Sequence, residues 1–290
     1  MSEAGPIRLG NAPGQPVVAD AHRERSERRL MLTHPSFISR KAEFRKLGHR
    51  LSKAIAGRGG LLLLVGKPGI GKSRTVEEFA DRVEPRAGKM AVMRGRCYQG
   101  QSVPRYGPLA EALTEYVNTA QLESSADNVG DGAPYLAWLV PTLARRLPHS
   151  SEPTAPRSRE EAFDAVSRFL IAASADARLL ITLDDLQWAD DDTLAMLQHI
   201  AAAIAHHPIL IVGAYRGAEL EQGHPLADYE QIMVNGLDTY QAGRLLAAAA
   251  GRDLPDLLVN PIARETDGNP SLILEALLLL AQEGIDGLTG

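Results

Sequence analysis

The stretch LLLLVGKPGIGKSRTVEEF, residues 61–79, constrains this chain more than any other. Its opening run of five apolar residues is short for a buried helix and right for a strand covered on both faces. Gly66, Lys67, Pro68, Gly69, Ile70, Gly71, Lys72 and Ser73 then match the pattern G-x-x-x-x-G-K-[ST], and a helical pattern follows in which Val76, Phe79, Ala80 and Val83 share a face. Glycines let such a loop wrap so that successive backbone N–H groups point inward, at the positive end of the next helix dipole. That is a cradle for phosphates. Lys72 would reach the β- and γ-phosphates and the Ser73 hydroxyl would ligate Mg²⁺, with Arg74 joining the same cofactor-binding set. The bare pattern should arise by chance in about one chain in a hundred of this length, and the strand-loop-helix setting makes it rarer still. An ordinary glycine-rich turn is therefore set aside.

A phosphate loop needs a second element that holds the metal, and LLITLDDLQWADD supplies one. Residues 179–183 read as a buried strand, Asp184 at its carboxyl end is the expected Mg²⁺ partner, and Asp185 is the candidate base that activates water. Adjacent aspartates at a strand end can also serve as a helix N-cap or a solvated loop, and only the pairing with the phosphate loop favours metal binding. Aspartate is one methylene shorter than the glutamate usual at the second position, so slow hydrolysis is expected. Asp190 to Asp192 are expected to cap the following helix, and Trp188 to pack rather than to stack on a nucleotide. The strand in PILIVGAYRGAEL ends at Arg216, which would face the γ-phosphate if its strand lies beside the phosphate loop; a solvent-facing arginine is the competing view.

Apolar runs at 61–65, 90–94, 179–183, 209–214 and 230–234 alternate with helical patterns. This is the signature of a parallel sheet with helices on both faces, so the fold class is α/β, a P-loop NTPase of three α/β/α layers with five strands. Residues 1–35, rich in Gly, Pro, Ala and alternating charge, read as a flexible arm. A core is expected over 36–237, opening with a helix on which Phe44, Leu47, Leu51 and Ile55 recur. It carries a helical insertion at about 98–178, with helices near 109–117, 135–147 and 160–173 and exposed loops at 123–132 and 148–156. Residues 238–290 read as a C-terminal helical lid, with helices near 240–250, 254–266 and 270–283.

Composition narrows the function. The formal net charge of −5 over 290 residues offers no general surface for nucleic acid, so phosphate chemistry must be local. A single cysteine, Cys97, excludes an intrachain disulfide and reads as a small buried residue near a strand end, and the eight histidines show no zinc spacing. Met1 is followed by neither a basic nor an apolar leader, and the longest apolar stretches are interrupted by polar residues; a cytoplasmic protein without membrane spans is expected.

The strings GKPGIGKSR, LDDLQWAD, GAYR and ARETDGNPSLILEALL, in that order, resemble the ATPase module shared by large LuxR-type transcriptional regulators and ATPase-fused adenylate cyclases. That module belongs to the STAND class of signal-transduction ATPases, relatives of AAA+ proteins, and the similarity covers residues 37 to about 283. The resemblance implies a sheet ordered 5-1-4-3-2, ATP as the nucleotide, Arg216 at the sensor-1 position and Pro270 as the lid proline that touches adenine. It also implies that Ile38, in Phe37-Ile38-Ser39-Arg40, lies against the base, although Ser39 replaces the family's glycine. Asn269 reads independently as a helix N-cap with Pro270 at the first helical position. No winged helix, helical repeat or effector is recognisable before Gly290, so transcriptional control and cyclase activity are not carried over.

The expected activity is that of an ATP-binding, slowly hydrolysing, Mg-dependent signalling switch, with Lys72, Asp185 and Arg216 as its catalytic residues and Ser73 and Asp184 as its metal ligands. The alternative is a non-hydrolysing nucleotide-binding interaction module, suggested by Leu272, Ile273 and the apolar run 277–280, which call for a protein partner or self-association through the C-terminal helix. An origin-recognition-like DNA-binding ATPase is a third reading, disfavoured by the negative charge.

Overall fold

The strands β1 (Gly60–Gly66), β2 (Met90–Arg96), β3 (Arg178–Asp184), β4 (Ile209–Arg216) and β5 (Glu230–Met233) pair in parallel as one sheet of order β2-β3-β4-β1-β5. This is the expected order 5-1-4-3-2 read from the other edge. The structure, a computed structural model, describes residues 37–38, 40–83, 90–100, 105–119, 132–143, 153–217, 220 and 223–282. The expected arm at 1–35, Ser39, most of the loops at 123–132 and 148–156, and residues 283–290 lie outside the described residues.

Side chains alternate across the sheet, so each strand feeds two cores. Leu61, Leu63, Met93, Ile181 and Ile211 face α3 (Gly107–Thr119), α4 (Ala133–Leu139), α5 (Arg159–Asp176) and α6 (Asp191–Ala203). Leu62, Leu64, Val92, Leu180, Leu210 and Val212 face α1 (Lys41–Ile55) and α2 (Lys72–Val83), meeting Leu47, Leu51, Val76 and Phe79. Every residue of β1 is buried, which explains its unbroken apolar run. The helices α3, α4 and α5 occupy the connection between β2 and β3, where the helical insertion was expected.

Two local expectations change. The helical pattern over 135–147 is interrupted after Leu139, because Pro141 disfavours helical geometry at the preceding Val140, which adopts φ −128° and ψ 85°; residues 144–147 lie outside the described residues. Trp188 lies on a 3₁₀ turn (Leu186–Trp188) and is 37% exposed, since Leu186 takes the turn's buried position instead.

After β5 come α7 (Thr239–Ala250), α8 (Asp256–Glu265) and α9 (Pro270–Gln282). Asp238 and Gln241 form a reciprocal capping box that starts α7. These helices pack around their own cluster of Leu245, Leu246, Val259, Ile262, Ile273 and Leu277. Ile38, from the far end of the chain, joins that cluster, so the segment before α1 bridges core and C-terminal helices. No helix among the described residues is long and apolar enough to cross a membrane.

Candidate functional site

Parallel strands end together, so the carboxyl ends of β1, β3, β4 and β2 bring their terminal residues to one edge. β1 delivers the loop from Gly66 to α2, whose first residues are Lys72 and Ser73. Lys72 is 6% exposed, and its ammonium donates to the carbonyls of Gly66 at 2.8 Å and Lys67 at 3.0 Å. Burial lowers its pKa, as does the charge of Arg216, while Asp184 and Asp185 oppose the shift. The ammonium is thus held at the loop by weak carbonyl acceptors that a phosphate oxygen would outcompete.

Ser73 Oγ donates to Asp184 Oδ1 at 2.8 Å, joining the start of α2 to the end of β3 across 111 residues of chain. The sequence places these two as metal ligands, and the structure brings them together. Two hard oxygens at one point are the ligand type Mg²⁺ takes from a protein when water and phosphate oxygens complete its shell. The donor set fits that ion.

Asp185 follows in the left-handed region at φ 56°, a conformation aspartate tolerates better than most residues. Its side chain is buried, and three residues hold it. Arg96 binds Oδ2 through Nη2 at 2.8 Å and Nε at 3.2 Å; Arg216 binds Oδ1 through Nη2 at 2.9 Å and Nε at 3.0 Å; Gln187 donates to Oδ1 at 2.8 Å. Burial alone would raise its pKa, but the bonds from Gln187 and Arg96 and the charge of Arg216 hold the carboxyl below the usual aspartate range. Arg216 lies opposite Gly66 in the register of β1 and β4, beside the phosphate loop as the sequence reading required, and its guanidinium binds Asp185. Its backbone N–H also donates to Gln187 Oε1 at 3.0 Å.

The other end of the site is apolar. A cavity of about 350 Å³ is lined by Phe37, Ile38, Leu237, Leu245, Pro270 and Leu274, with Gly71 and Arg74 at its loop side. Ile38, Arg74 and Pro270 from the sequence reading therefore share one space. Arg40, 5% exposed, forms its buried edge by donating to the Asn235 carbonyl at 2.5 Å and the Ile70 carbonyl at 2.6 Å. The segment before α9 and the first turn of α9 also touch the phosphate loop: Asn269 Nδ2 donates to the Pro68 carbonyl at 2.8 Å, Ser271 Oγ to the Gly69 carbonyl at 3.1 Å, and Lys67 pairs with Asp267 at 2.8 Å.

Arg96, Gln187, Arg40 and Ser271 escaped the sequence reading. Arg40, Gln187 and Ser271 lie inside strings already singled out without being given a role, and Arg96 ends β2, in register with Asp184 on the adjacent β3, where neighbouring parallel strand ends share an edge. Cys97, next along, is buried as expected, with its thiol pushed up to about 12 by burial and by the nearby carboxylates of Asp185 and Asp190.

Residues 36–212 match the family described as AAA ATPase domain. An uncharacterised protein of Rhizobium meliloti strain 1021 is 26% identical over 268 residues, covering 84% of this chain and 25% of that protein, so the chain spans a quarter of the length of this curated relative. Among solved structures, the chain is similar to one from Drosophila ORC bound to DNA, at 14% identity and a TM-score of 0.52, over 97% of this chain and 65% of that one. It also aligns with a STAND protein bearing a tetratricopeptide repeat sensor from Pyrococcus horikoshii, at 15% identity and a TM-score of 0.44, over 82% of this chain and 29% of that one. The likeness to ORC concerns the fold alone, and the second adds nothing to it.

Proposed function

The chain belongs to the AAA ATPase domain family, and on that premise we propose that it is an ATP-operated switch in which core and C-terminal helices close on one Mg-nucleotide and slow hydrolysis resets them. One observation carries this reading: the phosphate loop and the cavity beside it are built jointly from the core and from residues 267–274, so a nucleotide would touch both. We divide the chain accordingly into an arm (1–35), a core (36–237) and a lid (238–290). The STAND-type motif order noted in the sequence supports a signalling role.

Gly66 to Ser73 and Arg74 would bind the phosphates, and the apolar cavity with Ile38 and Pro270 would take the adenine. Lys72 would exchange the Gly66 and Lys67 carbonyls for β- and γ-oxygens. Ser73 and Asp184 would hold Mg²⁺, which supplies neutralisation of charge on the phosphates when bound. Asp185 is the base candidate, yet both its oxygens are engaged by guanidinium groups. Arg216 must leave Oδ1 before that oxygen can accept a proton, and the γ-phosphate is the anion that would draw it away. This competition is a physical reason for slow turnover.

The test is binding and turnover of Mg-ATP by wild type, Lys72→Ala and Asp185→Asn. Tight binding with slow turnover that both variants lose supports the switch; no nucleotide binding by folded wild type removes it. A second reading draws on Leu272, Leu278 and Leu279, exposed at 46%, 37% and 54% on α9. Here the nucleotide is structural filler and α9 engages a protein partner, in which case Lys72→Ala would leave partner binding intact. A DNA-binding role is the least favoured, and a steeply salt-dependent DNA affinity would be needed to revive it.

A further inference from the structure

The contact between the start of α9 and the phosphate loop is more specific than docking requires. Asn269 is 7% exposed and uses both ends of its amide: Oδ1 accepts from the Ser271 N–H at 3.1 Å, and Nδ2 donates to the Pro68 carbonyl at 2.8 Å. Aspartate would serve the first role and not the second. Ser271 binds the next carbonyl along, that of Gly69, through Oγ at 3.1 Å and through its own N–H at 3.3 Å. Two successive loop carbonyls are therefore held from outside the core.

No described peptide bond is cis, and in a trans peptide the N–H points opposite to the C=O. Fixing the Pro68 carbonyl fixes the direction of the Gly69 N–H, and fixing the Gly69 carbonyl fixes that of the Ile70 N–H. Gly69 adopts φ +75°, and a Cβ there would lie 2.8 Å from the Ser271 Cβ and 2.9 Å from the Asn269 Oδ1. Glycine at this position thus answers to α9 as well as to the loop's own turn. The Ile70 N–H donates to the Lys67 carbonyl at 3.3 Å, a long bond that an anion could replace.

We infer that Asn269 and Ser271 are positioning residues for phosphate binding: by fixing the two peptides that flank Gly69 they orient the loop's N–H donors, although neither side chain belongs to the loop. This rests on the reading that residues 66–73 hold a nucleotide's phosphates. It couples phosphate affinity to the bonds that residues 269 and 271 make with the loop, apart from their part in docking the helices.

The experiment compares the affinities of adenosine, ADP and ATP for wild type, Asn269→Ser, Ser271→Ala and the double variant, each as the full chain. Serine at 269 keeps an N-cap oxygen while being too short to reach Pro68. Loss of two neutral hydrogen bonds should weaken ADP and ATP by about tenfold in the double variant and about threefold in Ser271→Ala alone. Adenosine, which has no phosphate, should stay within about twofold in both, on the same scale. Equal weakening of adenosine and ATP overturns the inference, since the contact would then only dock the helices; so does unchanged affinity for all three. Ser271→Ala is the milder change and decides the matter if the double variant does not fold. Wild type that binds adenosine without any gain from phosphates would overturn the phosphate-loop reading itself, an outcome distinct from either of these.

Discussion

Asp185 shows how far a residue's surroundings can redirect its chemistry. Burial opposes its charge, and Arg96, Gln187 and Arg216 together more than reverse that, so its folded pKa lies below the unfolded one. Such a group stabilises the fold above the unfolded value of about 4, and the contribution is lost as pH falls through the folded pKa. Thermal melts of wild type and Asp185→Asn should therefore lie far apart near neutrality and draw together at acid pH; parallel curves would clear Asp185 of this role. Neighbouring Cys97 makes the opposite case. Its thiol is raised to about 12 by burial first and by surrounding carboxylates second, so the reactive thiolate is scarce at ordinary pH. Native protein at mildly alkaline pH should resist iodoacetamide, and unfolded protein should be alkylated at once. Fast alkylation of native protein would contradict the burial described here.

Elements carry the site by their ends and the core by their faces. β2 illustrates both: Arg96 closes it at the site, and Gly95, one residue earlier, lets α3 approach. A Cβ at Gly95 would sit 1.8 Å from the Pro108 carbonyl oxygen, a backbone atom that cannot rotate away. Gly95→Ala should lower stability by about 1–3 kcal/mol, the usual effect of forcing a methyl into a packed interior. Denaturant melts check this, and a variant as stable as wild type would mean that α3 rides loosely on the sheet. The displacement would also move Arg96, so Asp185 should lose part of its ion pairing in the same variant.

At the scale of the whole molecule, the sheet with its two faces of helices and the cluster of α7, α8 and α9 are separate cores that meet at the phosphate loop and the adjoining cavity. A ligand bound at that meeting place stabilises both. At a concentration a thousand times its Kd, Mg-ATP should add about 4 kcal/mol to the stability of the state that binds it. Differential scanning calorimetry should show a single transition shifted upward for wild type and no shift for Lys72→Ala. A shift confined to one of two transitions would mean that nucleotide touches only one core. Moving a lid from 1:99 to 99:1 takes about 5.5 kcal/mol of differential binding, so on the proposed reading ATP at that concentration would leave closure short of completion unless a partner contributed the rest.

The sequence by itself determined whatever depends on near neighbours in the chain. The strand-loop-helix of residues 60–83, the five strands and the cap at Asp190 were legible because periodicity and turn chemistry act over a few residues, whereas the capping box at Asp238 was not read from the sequence. The pairing of Ser73 with Asp184 was legible too, but only because the phosphate-loop motif calls for a carboxylate at a neighbouring strand end. Where local signals compete, as at Val140 before Pro141, the pattern missed the interruption after Leu139. What only the tertiary structure decided are contacts between distant segments with no shared motif: Arg96 to Asp185 across 89 residues, and Asn269 to Pro68 across 201. No periodicity links such pairs. Their meeting follows from strand order and from where α9 docks, which are properties of the packed whole.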